Sequence, residues 1–110
     1  MKKELTSGIS VSKGVVSGKA RLIKDEMDIR KVEDGEILIL PNSHPMYALA
    51  VMKAGGIICE SGGKLSHICI VSLEMGIPCI TQAKEAMASV SDGEEIILDA
   101  NEGKVYTNEL

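Results

Sequence analysis

The chain has 110 residues, with 12 Lys and Arg against 16 Asp and Glu for a formal charge of −4, and two Tyr as its only aromatic residues. That length suits one domain and leaves no room for two. The mildly acidic, almost aromatic-free composition lacks both the basic footprint and the stacking platforms of a nucleic-acid binder. An apolar fraction of 45% with 25% charged residues belongs to a folded globular chain, whose core must be aliphatic. No apolar run approaches the roughly 20 residues that cross a bilayer. Met1-Lys2-Lys3-Glu4 leads into Thr6-Ser7-Gly8 and not into an apolar signal segment. The expectation is a cytoplasmic protein with neither membrane nor nucleic-acid partner. Cys59, Cys69 and Cys79 form no C-x-x-C, so they read as reduced, buried small hydrophobes and not as a zinc site.

In chain order, residues 8–23 alternate small, β-branched and polar side chains around Gly14 and Gly18, which predicts two short strands bent at glycines. Glu36–Leu40 predicts an apolar strand stopped by Pro41. Ser43 or His44 then stands at a helix N-cap with Pro45 in the first turn. That helix is predicted over Met46–Ala54 and is ended by Gly55-Gly56. Ile57–Cys59 predicts the next strand. Ser66–Met75 carries strand-favouring Ile68, Ile70 and Val71, but Ser66 before it, Gly76 after it and Pro78 beyond predict a helix, apolar nearly all round and therefore buried. Cys79–Thr81 predicts a short strand and Lys84–Ser89 one or two helical turns. Glu94–Asp99 and Lys104–Thr107 predict a hairpin around Asn101-Glu102-Gly103. Strands outnumber helices and the two alternate, so the fold class is mixed α/β with two main helices.

The residues with chemical content are Glu60-Ser61-Gly62-Gly63-Lys64-Leu65-Ser66-His67. Glycines let a backbone approach an anion without a Cβ in the way. A helix start presents unpaired N–H donors and the positive end of the dipole, a ready site for phosphate. An imidazole placed there is biased toward its neutral form, and a neutral ring nitrogen can attack phosphorus. The candidate site is His67 as catalytic nucleophile, with Gly62, Gly63, Lys64 and Ser66 as phosphate-binding residues and no metal ligands. The same eight residues also fit a plain turn followed by a packed or solvated histidine, and on their own they leave both descriptions open. Ser66 fits a helix cap with a phosphate contact, and Glu60 either orients the His67 ring or lies in the solvent. For His44, which has no glycine loop beside it, a capping or surface role is favoured.

Gly62-Gly63-Lys64-Leu65-Ser66-His67-Ile68-Cys69-Ile70-Val71, followed by Glu74-Met75-Gly76-Ile77-Pro78, resembles the phosphohistidine segment of PEP-utilising enzymes such as PEP synthase and pyruvate phosphate dikinase. Gly8 to Ala20 is similar to the family's opening glycine pattern, and Ser43-His44-Pro45 stands where the family has Thr-x-Pro. Asp92-Gly93, Asp99 and Gly103-Lys104-Val105 are similar to its closing motif. The resemblance implies a swivelling β/β/α domain with a barrel-like sheet core, and residues 1–110 are expected to form one such stand-alone domain. It implies that His67 is phosphorylated and shuttles the phosphoryl group between an ATP-grasp nucleotide site and a PEP/pyruvate site. Neither site fits in 110 residues. The chain would then be the phosphohistidine component of a phosphotransferase, binding no cofactor itself, with Mg²⁺ and ATP or PEP on partner chains. The sequence departs from the family pattern at Leu65, where the family has Thr, at Ser72, where it has Ala, and at Leu73, where it has Arg. Those departures support the alternative of a non-phosphorylated module that docks on such a partner. A purely structural swivel domain is the third possibility and does not account for Gly62, Gly63 and His67 together.

Overall fold

The computed structural model describes residues 2–108. Its strands are β1 (Glu4–Ser7), β2 (Ile9–Ser12), β3 (Val15–Leu22), β4 (Ile37–Leu40), β5 (Gly56–Cys59), β6 (Cys79–Thr81), β7 (Glu95–Asp99) and β8 (Lys104–Thr107). Its helices are α1 (Glu26–Ile29), α2 (Ala48–Val51), α3 (His67–Met75) and α4 (Ala86–Ser89), with a 3₁₀ turn at Pro45–Tyr47 before α2.

All eight strands join one sheet in the order β1-β8-β7-β3-β4-β5-β6-β2. β3, β4, β5 and β6 run parallel, and the remaining pairings are antiparallel. β4 and β5 are buried at every residue, as uninterrupted apolar strands with parallel neighbours on both sides and cover on both faces must be. Their alternation divides the core. Ile37, Ile39, Ile58 and Ile80 face Ile96, Leu98 and Val105 across the sheet's interior. Leu38, Leu40, Ile57, Cys59 and Cys79 face Tyr47, Val51, Ile68 and Cys69 of the helical layer. The outcome is the expected β/β/α layering.

The two outer strands of the order, β1 and β2, are consecutive in the chain and joined through Gly8 alone, so the sheet curls until its edges meet in one stretch of backbone. Gly8 N–H donates to Gly103 O at 2.8 Å. A Cβ on Gly8 would stand 2.5 Å from Thr81 O and 3.0 Å from Ala83 N, so only glycine fits where the chain crosses.

Four expectations change. The Met46–Ala54 helix is split: His44 caps the 3₁₀ turn, α2 covers only Ala48–Val51, and Lys53 and Ala54 donate to Ala50 and Val51 three residues back. That tightening is common where a short helix runs out. β1 and α1 were not expected. β1 is mostly polar, and α1 is a single turn held by Asp25, whose carboxylate accepts from the N–H groups of Met27 and Asp28. Third, α3 is not buried all round. Ile68, Cys69 and Ser72 are covered, whereas Ile70, Leu73 and Met75 are 41%, 60% and 47% exposed, because a helix lying on one face of a sheet hides one side only. Fourth, α3 is the only helix among the described residues longer than one turn, so the two main helices reduce to one.

All three cysteines are free and buried, brought together from β5, α3 and β6. Hydrogen bonding to Cys69 and Cys79, then burial, pushes the Cys59 thiol far above its ordinary range. No helix of the described residues is long and apolar enough to cross a membrane.

One ion pair sits away from the helical layer. Arg21 on β3 grips Glu36 with two hydrogen bonds, Nε to Oε1 at 3.0 Å and Nη2 to Oε2 at 2.8 Å, and Glu33 N–H adds a third at 2.8 Å. These hold the Glu36 carboxyl below the usual range, Arg21 contributing most and burial opposing. A carboxyl lowered by folding stabilises the protein above its unfolded pKa, and that contribution is lost as the pH falls through the folded value. Glu36→Gln is expected to cost about 1–2 kcal/mol at pH 7 in urea denaturation, since it removes the two-bond carboxylate grip and leaves Arg21 only its contact with Asp92, Nη1 to Oδ2 at 3.3 Å. The gap to wild type should close as the pH falls below about 4. A gap that persists unchanged at pH 3 would contradict this assignment.

Candidate functional site

The site lies at the C-terminal ends of the adjacent parallel strands β4, β5 and β6, where ligands commonly bind in open α/β sheets. The segments leaving β4 and β5 run side by side: Glu60 N–H donates to Leu40 O at 2.8 Å and Ser61 Oγ to Pro41 O at 2.9 Å. From the end of β6, Thr81 Oγ1 donates to Gly62 O at 2.7 Å. The glycine loop is thereby tied to both neighbouring strand ends before it enters α3.

Gly62 has φ +120°, and a Cβ there would approach Ser43 Cβ at 3.0 Å and Ser66 Oγ at 3.2 Å. Conformation and space both require glycine. A Cβ on Gly63 would meet nothing within 4 Å, so the fold itself does not need a glycine there. Lys64 is exposed, and among the described residues no carboxylate pairs with it. Leu65 is 86% exposed.

Ser66 is the N-cap residue of α3 and His67, exposed, the first helical residue. Ser66 makes no side-chain cap bond. The cap comes from outside the helix: Ile68 N–H donates to Ser43 Oγ at 3.0 Å. Ser66 N–H donates to Gly63 O and Ile70 N–H to Ser66 O, each at 3.0 Å. Among the described residues the N–H groups of Lys64, Leu65, His67 and Cys69 have no acceptor. A nine-residue helix with open N–H groups at its start, an exposed imidazole on its first residue and a free lysine beside it can hold a phosphoryl group on that imidazole.

The five proposed site residues, Gly62, Gly63, Lys64, Ser66 and His67, are consecutive with Leu65 and form this one loop and helix start. The structure assigns the secondary candidates elsewhere. Glu60 does not reach His67. Its Oε2 accepts from Met87 N–H at 2.9 Å and fastens α4. His44 Nδ1 accepts from Met46 N–H at 3.0 Å, the capping role favoured from the sequence. Two residues were missed, Ser43 and Thr81. From the sequence Ser43 carries a capping role for its own helix and a match to the family's Thr-x-Pro, neither of which points to α3, and nothing in the sequence marks Thr81.

The frame is a barrel-like sheet whose longest helix starts at an exposed histidine after a glycine pair. Residues 32–103 match the family described as PEP-utilising enzyme, mobile domain, and the chain belongs to that family. It is 35% identical over 108 residues to a probable phosphoenolpyruvate synthase of Archaeoglobus fulgidus, covering 98% of this chain and 14% of that protein. Phosphoenolpyruvate synthase of Pyrococcus furiosus is 35% identical over 102 residues, covering 93% of this chain and 12% of its own length. Pyruvate kinase 2 of Synechocystis sp. is 33% identical over 110 residues, 100% of this chain and 19% of that one. The chain thus corresponds to a small part of larger, multidomain proteins. In three dimensions it is similar to the N-terminal domain of Enzyme 1 - Nitrogen, with TM-score 0.72, 8% identity and coverage of 91% and 92%. It is also similar to aconitase X of Thermococcus kodakaraensis, with TM-score 0.68, 14% identity and coverage of 99% of each chain. At such identities these likenesses show the fold alone.

Proposed function

We propose that this domain is a phosphoryl carrier and that His67 is its acceptor. A ring nitrogen of His67 attacks the donor's phosphorus; the N–P bond forms as the bond from phosphorus to the donor's leaving oxygen breaks, and that oxygen takes the electron pair. Transfer onward reverses the step with a different oxygen as the attacking atom. The open N–H groups of His67 and Cys69 and the Lys64 ammonium stabilise the charge on the carried group. The observation that carries the proposal is the exposed His67 at an N-terminus whose donors are left unsatisfied.

The donor and acceptor sites belong to other domains or chains, an ATP-grasp nucleotide site and a PEP/pyruvate site, with Mg²⁺ bound there and not here. A covered histidine could not enter either site, whereas His67 stands clear of the surface. Within such a system the domain is the phosphotransferase's phosphohistidine component and is incomplete alone.

The second function is docking without phosphorylation. It is favoured by Leu65, which offers no hydroxyl where the family has Thr. Labelled PEP or labelled ATP, supplied with an extract of the source organism, separates the two. A carrier acquires an acid-labile, base-stable label that His67→Ala abolishes, and a docking module acquires none. Equal labelling of His67→Ala would reject His67 as the acceptor.

A further inference from the structure

We propose that Ser43 is a positioning residue for His67, a role that rests on His67 being the phosphoryl acceptor. Ser66 sits where a serine ordinarily caps its own helix, yet its hydroxyl is turned away to Gly63 O, 2.5 Å distant. Its Oγ also lies 2.9 Å from Ser43 Oγ, and Ser43 Oγ accepts from Ile68 N–H. Ser66 has one hydroxyl proton and the Gly63 carbonyl can only accept, so the proton between the two serines belongs to Ser43. The bonds therefore run in one direction, from Ile68 N–H to Ser43, from Ser43 to Ser66, and from Ser66 to Gly63 O.

This relay does two things to His67. It fixes the peptide unit after the histidine through Ile68 N–H, while Ser66 N–H to Gly63 O at 3.0 Å fixes the unit two peptides earlier, so the Cα–Cβ direction of His67 is held from both sides. It also keeps Ser66 occupied. Without the Ser43 hydroxyl, Ser66 Oγ is released to cap its own helix by accepting from Cys69 N–H, while Ile68 N–H loses its acceptor. A donor that the carried phosphoryl group needs would then be consumed by the protein itself.

The test uses the whole chain and phosphoramidate, a small phosphoryl donor that requires no partner. Phosphate on His67 is followed by intact mass, and exchange of the Ile68 amide by NMR. Ser43→Ala and Ser43→Cys, which keeps the side-chain volume without a strong acceptor, are each expected to label at least ten-fold more slowly, with the Ile68 amide exchanging at least ten-fold faster. Ser43→Thr keeps the hydroxyl and is expected to restore both rates to within two-fold of wild type. Normal labelling of the folded Ala or Cys variant overturns the proposal, as does a folded Thr variant as slow as Ala. A wild-type chain that takes no phosphoryl group at all overturns the acceptor role of His67 instead, and the role of Ser43 with it.

Discussion

Gly8→Ala is expected to destabilise the protein by about 3 kcal/mol, the cost of forcing a methyl group against backbone that cannot yield. The new Cβ would stand 2.5 Å from Thr81 O, and neither the β2–β6 pairing nor the Gly8 N–H bond to Gly103 O can be kept while it moves away. Because Gly8 is the joint between β1 and β2, relief there loosens the β2–β6 pairing. Gly93→Ala is the appropriate comparison. Gly93 has φ +84° with nothing within 4 Å of its would-be Cβ, so only the left-handed conformation is penalised, at about 1–2 kcal/mol. Urea denaturation of both variants orders them, and a Gly8→Ala loss no larger than that of Gly93→Ala would contradict closure through Gly8.

The largest functional effect short of removing the histidine is expected from Gly62→Ala. Its φ of +120° is a conformation that costs a residue with a Cβ about 1–3 kcal/mol. The methyl group also enters the gap between Ser43 and Ser66, 3.0 Å from one side chain and 3.2 Å from the other. Phosphoryl incorporation from phosphoramidate is expected to fall more than ten-fold, with a stability loss of about 2 kcal/mol. Gly63→Ala separates fold from function at the neighbouring position. Nothing near Gly63 opposes a Cβ, so its stability is expected to stay within about 1 kcal/mol of wild type, and any slowing of labelling reports on how closely the phosphoryl group approaches the backbone. Gly62→Ala labelling at the wild-type rate would show that the loop geometry is not used.

Much of this fold is legible in the sequence because its strongest elements are punctuated. Ile37–Leu40 and Ile57–Cys59 are apolar without alternation, which suits the doubly covered strands β4 and β5. Ser66, Gly76 and Pro78 bracket α3, and Gly76 ends it in the left-handed conformation at φ +70°, despite the strand-favouring residues between. What punctuation does not convey is direction. Ile68 and Cys69 are buried while Ile70 and Leu73 are exposed, and an all-apolar run carries no periodicity from which to tell them apart. β1 has too little apolar character and α1 too little length to announce themselves.

The site divides in the same way. Its consecutive residues, from the glycine pair to His67, are visible as a local pattern, and their chemistry follows from what a helix start offers. The contacts that hold the pattern in place are not local. Ser43 reaches Ile68 across 25 positions and Thr81 reaches Gly62 across 19, and each is an ordinary hydroxyl residue until the parallel strands bring the loops together. His44 shows the converse. It precedes Pro45 at a turn, and that local arrangement was enough to favour its capping bond to Met46.

The phosphorylated residue itself is the most direct measurement. The wild-type chain, labelled by its native donor or by phosphoramidate, is fragmented under conditions that preserve N–P bonds, and the fragments are read by mass. A single phosphoryl group on His67, absent from His67→Ala, is the predicted result. A phosphoryl group on His44, Lys64 or a seryl oxygen, or a fully folded chain that carries none, would contradict the carrier function.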